Sequence, residues 1–230
     1  MSKPEVFEKS FPYLNPDDVQ HLYRHSLAVE RSIDGISDIT TPRVLACDGL
    51  SIHYQYLELG DSFHHVLSGD TDSNDYLFRI GKALKAIHSY QLSENTRSLL
   101  HSDFVPHNIF ISGTKITLID PHPPEKLDFS TDRLYGNPYS EIVDFIFCLM
   151  SDVGFKRSIT KLGLNVSHAS SFFDGYGKSN LRIHNFFRPI FYKCKDSYIL
   201  KRRAGFPLTH ATLHCVSGSI LTLLVLWKAL

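Results

Sequence analysis

The chain has 230 residues, of which 43% are hydrophobic, so it can bury a core of ordinary globular composition. Its 24 Lys and Arg residues are balanced by 24 Asp and Glu residues, which argues against a nucleic-acid-binding protein. The four cysteines are far apart and form no Cys-x-x-Cys pair, so we expect reduced thiols in a cytoplasmic protein and no zinc site.

The first quarter of the chain predicts a strand, a helix and a hairpin. The N-terminal segment lacks the apolar core of a signal peptide and reads as a short strand. Asn15 is followed by proline and two acidic residues, the pattern of a helix N-terminus. Asp48 and Gly49 form a turn between two apolar runs. We expect these elements at residues 6–11, 17–33, 42–47 and 52–57.

Residues 100–120, LHSDFVPHNIFISGTKITLID, concentrate oxygen-bearing side chains. A loop with Asp103 and Asn108 precedes two strand patterns around a Ser-Gly-Thr turn, and Asp120 follows the second strand. Phosphoryl transfer needs charge neutralisation and a base that accepts the proton of the attacking hydroxyl. Mg²⁺ takes one or two carboxylates plus substrate phosphates. We therefore expect Asp103 to be the base and Asn108 and Asp120 to hold the metal, at a separation set by the hairpin.

The second half of the chain predicts mainly helices. Apolar residues recur at helical spacing in residues 76–89, and residues 140–151 form an apolar helix that carries Asp144. The apolar segment 208–230 is interrupted by histidines, so a buried terminal helix is the leading interpretation. The alternative is attachment to a membrane surface, because the basic residues 201–203 lie just upstream and could meet anionic lipid.

The stretch from His101 to Pro121 resembles a known family. HSDFVPHN followed by LIDP is similar to the H-G-D-x-x-x-x-N and I-D pattern of the aminoglycoside phosphotransferases and related small-molecule kinases. Ser102 stands where glycine is usual. The resemblance implies an α+β, bilobal protein-kinase-like fold. Its small β-rich N-terminal lobe would cover residues 1–58, and a mainly helical catalytic lobe would cover residues 59–230.

The resemblance also implies a nucleotide site that uses ATP and Mg²⁺. Lys9 would contact the phosphates and pair with Glu30 on the following helix. The alternative is that Lys9 is a solvated strand lysine and Glu30 an ordinary acid of the helix surface. Residues 56–60, with Glu58 among them, would form a hinge that receives the base through backbone groups.

Two further residues are expected to support the site rather than react. His101 would brace the catalytic loop through its ring nitrogens. Asp144 matches an aspartate that, in the family, props the catalytic loop from a later helix. An aspartate on an apolar helix needs a partner, which fits this structural role.

The sequence departs from the family in one important respect, since residues 1–8 contain no glycine and no glycine-rich phosphate-binding hairpin is found. The leading hypothesis is an ATP-dependent, Mg²⁺-assisted kinase for a hydroxyl of a small molecule or sugar, such as a sugar of a lipopolysaccharide core. A glycolipid acceptor would place the cytoplasmic protein at the inner face of the membrane. The alternatives are a non-catalytic kinase-like binding or scaffold protein and a hydrolase that uses the same carboxylates on a metal.

Overall fold

The computed structural model describes residues 5–68, 73–91, 97–124, 129–151 and 162–230, and the chain forms two compact units. One unit comprises residues 1–63 and 86–136, and the other comprises residues 64–85 and 137–230. All the described strands belong to the first unit, and the described elements of the second unit are helices. The mixture of helices and strands confirms the α+β fold class.

The described elements fall into nine strands and seven helices. The strands are β1 Val6–Ser10, β2 Ile39–Thr40, β3 Val44–Asp48, β4 Ser51–Gln55, β5 Asp61–Ser62, β6 Ser98–Leu99, β7 Ile109–Ser112, β8 Lys115–Leu118 and β9 Tyr135–Gly136. The helices are α1 Pro16–Ile33, α2 Phe63–Ser68, α3 Asn74–Ser89, α4 Pro138–Ser151, α5 Leu162–Tyr176, α6 Phe187–Arg203 and α7 Leu208–Ala229.

Helix α1 begins where the sequence predicts. The Asn15 side-chain oxygen accepts a hydrogen bond from the Asp18 backbone N–H at 2.8 Å, and Pro16 occupies the first turn. Beyond the helix, Gly35 has a φ of +84°, a left-handed conformation that glycine adopts without steric cost. Local capping chemistry therefore fixes both ends of the helix.

The first sheet has the strand order β1-β4-β3, and both pairs are antiparallel. The predicted hairpin around the Asp48–Gly49 turn is confirmed. Among residues 5–68 no glycine-rich hairpin precedes β1. Helix α1 packs on this sheet around a shared apolar core, whose buried members are Phe11, Val19, Leu22, Val44, Ile52, Tyr54 and Leu134.

The second sheet has the order β2-β8-β7-β5. Its centre is the predicted β7–β8 hairpin, in which Ile109 lies opposite Leu118. Strand β2, which follows α1, pairs in parallel with β8. This pairing joins residues 86–136 to the N-terminal elements in one unit. The expected lobes at residues 1–58 and 59–230 stay a prediction.

The helical unit contains the terminal helix α7, which packs against α4, α5 and α6. Its Gly218 lies against the Phe147 ring of α4, where a Cβ atom would come within 2.6 Å of the ring. Within the described part of the chain, α7 is the one helix long and apolar enough to cross a membrane, and 39% of its most apolar window is buried. Burial covers one side of the helix, so both the buried interpretation and the membrane-surface alternative stay predictions.

Candidate active site

The loop before β7 joins the two residues expected to act as base and metal ligand. The Asn108 amide nitrogen donates to the Asp103 carboxylate at 2.8 Å and to the Asp103 backbone carbonyl at 3.0 Å. A short 3₁₀ turn over Pro106–Asn108 places the amide against Asp103. Because the nitrogen is committed to Asp103, the Asn108 Oδ1 oxygen is the atom of this amide that remains as an acceptor.

The hairpin then holds Asp120 at a fixed place relative to Asn108. The Ile119 backbone N–H donates to the Asn108 carbonyl at 3.0 Å, one step beyond the paired ends of β7 and β8. Asp120 follows with a φ of +55°, a left-handed conformation that costs most residues energy and that Asp tolerates better. The prediction that the hairpin sets the separation of the two candidate metal ligands is consistent with this geometry.

Lys9 pairs with Asp120, not with Glu30. The Lys9 ammonium lies 2.9 Å from Asp120 Oδ1, and Lys9 also lies 5.8 Å from the centre of the Phe11 ring. Glu30 accepts a hydrogen bond from the Val44 backbone N–H at 2.9 Å, which ties α1 to the start of β3. The expected Lys9–Glu30 ion pair is therefore wrong for this structure, because each side chain has a nearer partner.

A cavity of about 380 Å³ lies beside Asp120 in the same unit. Its lining includes Phe7, Val44, Tyr54 and the Ile119–Pro121 segment. Three of the expected hinge residues also line it, namely Tyr56, Leu57 and Leu59. Glu58 is exposed and is not among the lining residues, so a nucleotide-binding role of its side chain has no geometric support.

Two buried histidines contact the loop around Asp103. His101 is 1% exposed, and its ring meets the Phe104 ring edge to face with centroids 5.5 Å apart. The buried His25 of α1 donates from Nε2 to the Leu100 backbone carbonyl at 2.7 Å. The expected bracing of the loop through the His101 ring nitrogens stays a prediction. No local pattern in the sequence pointed to His25, since the loop it contacts lies 75 positions away.

Asp144 lies in the helical unit, where its carboxylate is 3.0 Å from the Lys193 ammonium of α6. This ion pair supplies the partner that an aspartate on an apolar helix needs. The role of Asp144 as a support of the catalytic loop stays a prediction.

A buried polar network adjoins Asp120 and was not foreseen. His122 Nε2 lies 2.8 Å from the Tyr54 hydroxyl and 3.1 Å from Ser26 Oγ, while Ser26 donates to the Leu22 carbonyl. Burial, reinforced by the nearby Lys9 charge, holds the pKa of His122 well below its usual range, so the ring is neutral. The network joins α1, β4 and the segment after Asp120.

The backbone at Ser102 adopts a conformation that favours glycine. Its φ is +80°, a left-handed conformation that strains a residue with a Cβ atom. The Ser102 hydroxyl donates to the Arg133 carbonyl at 2.8 Å, which offsets part of that strain. The sequence shows that serine stands where glycine is usual. The structure shows that the backbone conformation, and not the size of the side chain, is what makes this serine strained.

The donor atoms of this site suit Mg²⁺ more than a transition metal. Within the described ranges, no group of three or more His, Cys, Asp or Glu side chains could hold a metal ion. Mg²⁺ in a nucleotide site needs only one or two protein oxygens, because phosphates and water complete its octahedron. Asn108 Oδ1 and the Asp120 carboxylate are the two oxygens expected in this role.

No family model and no curated protein matches the sequence. Solved structures do match the fold. Glucosamine kinase aligns with a TM-score of 0.64 at 11% identity, over 94% of this chain and 72% of its own. A choline/ethanolamine kinase family protein from Mesorhizobium loti aligns with a TM-score of 0.57 at 10% identity, over 96% of this chain and 86% of its own.

An ADP-bound aminoglycoside phosphotransferase, APH(2'')-Ib, aligns with a TM-score of 0.54 at 11% identity, over 94% of this chain and 88% of its own. At such low identity these likenesses concern the fold. The chain therefore shares the protein-kinase-like fold of these solved kinase structures, as the resemblance implied.

Proposed function

We propose that the protein is an ATP-dependent phosphotransferase that moves the γ-phosphoryl group to a hydroxyl of a small molecule, namely a sugar. The observation that carries this proposal is the arrangement of Asp103, Asn108 and Asp120 around one hairpin, with Lys9 at 2.9 Å from Asp120. The adjoining cavity has the volume of a small-molecule site. Phosphoryl transfer depends on such positioning and charge neutralisation.

The cavity is the proposed site of the nucleotide base. Its lining is mostly apolar, and residues 56–59 run along it as a hinge segment would. The Tyr54 hydroxyl is held by His122, so the tyrosine presents its ring to the cavity. A planar base between apolar side chains, with backbone groups at its edge, fits this lining.

The phosphates are proposed to lie toward Lys9 and Asp120. The Lys9 ammonium contacts the Asp120 carboxylate in this structure. In the proposed complex it would instead neutralise phosphate oxygens. Mg²⁺, held by Asn108 Oδ1 and Asp120, would neutralise the remaining phosphate charge. Asn108 would have a second task, because its amide nitrogen keeps the Asp103 carboxylate in place.

Asp103 is the proposed base. Its carboxylate would accept the proton of the acceptor hydroxyl as the new bond forms between that oxygen and the γ-phosphorus. The bond between the γ-phosphorus and the bridging oxygen breaks in the same step, and ADP leaves with that oxygen. The hydrogen bond from Asn108 orients the carboxylate without protonating it.

The acceptor is proposed to be a sugar, and the proposed acceptors include a sugar of a lipopolysaccharide core. Glucosamine kinase, whose fold this chain shares, makes an amino sugar a sensible first acceptor to test. Two other functions use the same residues, a kinase-like scaffold that binds nucleotide without transfer and a hydrolase that passes the phosphoryl group to water.

Incubation with Mg²⁺ and γ-labelled ATP separates these functions. The acceptors are amino sugars, aminoglycosides, choline and core oligosaccharides, and labelled product and free phosphate are both measured. We expect transfer to one acceptor class, a loss of about 1,000-fold in Asp103→Asn, and unchanged ATP binding by that variant. The matched control is Asp48→Asn, which changes an exposed aspartate of the same unit.

The outcomes are distinct. Nucleotide binding without product in any acceptor series would support the scaffold. Free phosphate that appears at the same rate with and without acceptors would support the hydrolase. No binding at millimolar ATP would overturn the proposal.

A further inference from the structure

We propose that the α6–α7 helical hairpin is a docking surface for an anionic lipid bilayer. The hairpin consists of Phe187–Arg203 and Leu208–Ala229, two helices of one unit that pack together. The inference is independent of the proposed catalytic function.

One side of α7 is buried and the other is an exposed apolar stripe. The exposed positions recur every three or four residues, as one helix face does. Charged residues are absent from the stripe until Lys228, at its C-terminal end. Monomeric proteins rarely expose apolar patches of this kind without using them for binding. The large apolar members of the stripe are Leu213, Val216, Ile220, Leu224 and Trp227.

Helix α6 adds exposed aromatic side chains beside basic ones. Phe191 is 68% exposed, and Tyr192 stacks with the Arg188 guanidinium at 5.4 Å. At the turn between the helices, the Lys201 ammonium lies 4.8 Å from the centre of the Phe206 ring. Aromatic rings and long basic side chains are the residues that occupy the boundary between lipid headgroups and acyl chains.

The positive net charge of the hairpin favours an anionic bilayer as the partner of this surface. Residues 187–230 contain seven Lys or Arg and one Asp, a net charge of +6, in a chain whose overall net charge is zero. One of the seven, Lys193, is paired with Asp144 of the same unit. A symmetric contact between two copies would bring the remaining positive charges of one hairpin against those of the other. An anionic bilayer instead offers negative headgroups to the basic side chains and an apolar interior to the stripe.

The packing of the buried side of α7 favours docking on the bilayer surface over a helix that spans the bilayer. Gly218 fits against the Phe147 ring, and buried residues continue along that side to Ala229. A helix that crossed the bilayer would have to give up this packing. Docking requires only that the exposed stripe enter the headgroup boundary, to a depth of about 5–10 Å.

Trp227 is the single tryptophan of the chain and is 71% exposed, so its fluorescence reports directly on this surface. The 230-residue protein is mixed with phosphatidylcholine vesicles that either contain or lack phosphatidylglycerol. We expect a blue shift of the emission and co-flotation with the anionic vesicles alone, and release by high salt. Ile220→Asp should abolish both signals, while Leu164→Asp, at an exposed apolar position of α5, should retain them.

A second variant tests the proposal independently if Ile220→Asp fails to fold. Lys195→Gln combined with Lys228→Gln removes two exposed charges of the hairpin and should weaken partitioning roughly 30-fold. Four results would overturn the proposal: no blue shift with either vesicle, equal binding to neutral vesicles, a blue shift that grows with protein concentration alone, or retention that only detergent reverses. The third would indicate a dimer, and the fourth a spanning helix.

Discussion

The Lys9 ammonium lies 2.9 Å from the Asp120 carboxylate, so β1 and the segment after β8 meet through opposite charges. Their side chains keep 18% and 41% of their surfaces exposed, respectively, so water and ions can reach the pair. In the proposed site both groups exchange this contact for nucleotide ligands, with Lys9 on the phosphates and Asp120 on the metal. The pair therefore marks the phosphate end of the proposed site.

Replacement of Lys9 by methionine should impair catalysis much more than stability. A partly exposed ion pair contributes about 1 kcal/mol or less to folding. Loss of a cation that stabilises phosphate charge should lower kcat/KM about 100-fold or more. Steady-state kinetics and thermal unfolding measure the two effects. Lys115→Met, at an exposed lysine of β8, is the control, and equal kinetics of both variants would refute the assigned role.

At Ser102, glycine should be more stabilising than alanine, the reverse of the usual order. Alanine loses the hydrogen bond to the Arg133 carbonyl and keeps the strain of the positive φ, whereas glycine relieves that strain. Strain relief of 1–2 kcal/mol, roughly, exceeds the entropic cost of glycine of about 0.5–1 kcal/mol. The free energy of unfolding, measured with denaturant, should therefore be larger for Ser102→Gly than for Ser102→Ala. At Ser112, on the β7 strand, alanine should be the more stable replacement.

Stability should fall in acid partly because of His122. Its folded-state pKa is held below the ordinary value, mainly by burial, so below about pH 6.5 the unfolded state binds a proton that the folded state excludes. The free energy of unfolding then decreases as pH falls, by at most about 1.4 kcal/mol per pH unit from this group. His122→Gln should show a shallower slope between pH 6.5 and 5, roughly the window set by the ordinary histidine pKa. Parallel slopes would contradict a neutral buried His122.

Gly60 should tolerate no side chain. A Cβ atom at this position would lie 1.9 Å from the Ile111 carbonyl oxygen, so the segment that lines the cavity would have to move away from β7. Gly60→Ala should cost at least about 2 kcal/mol and weaken ATP binding. Gly113→Ala, which meets no atom within 4 Å but has a φ of +56°, should cost about 1 kcal/mol and leave ATP binding unchanged.

The sequence predicted what local chemistry determines. The Asn15 cap, the Gly35 end of α1 and the β7–β8 hairpin follow from residues within one turn or one strand pair. The same hairpin sets Asp120 relative to Asn108, because the turn chemistry left one register for the two strands. The grouping of these two residues with Asp103 in one site stays a prediction.

Relationships between distant parts of the chain could not be predicted in this way. Ser26 lies 28 positions from Tyr54 and 96 from His122, yet their side chains form one buried network. Lys9 pairs with Asp120 because the fold brings the end of β8 beside β1. Glu30 instead accepts a hydrogen bond from the Val44 backbone N–H. Such choices depend on packing of whole elements, which periodicity does not encode.

Titration of the protein with ATP by calorimetry, with and without Mg²⁺, tests most directly the claim that the cavity beside Asp120 binds a magnesium nucleotide. The account predicts binding that Mg²⁺ strengthens at least about tenfold, through the ligands assigned here. In Asp120→Asn the Mg²⁺ enhancement should disappear, while Asp48→Asn should bind as the unmodified protein does. Absence of ATP binding, or an Mg²⁺ effect unchanged in Asp120→Asn, would contradict the account.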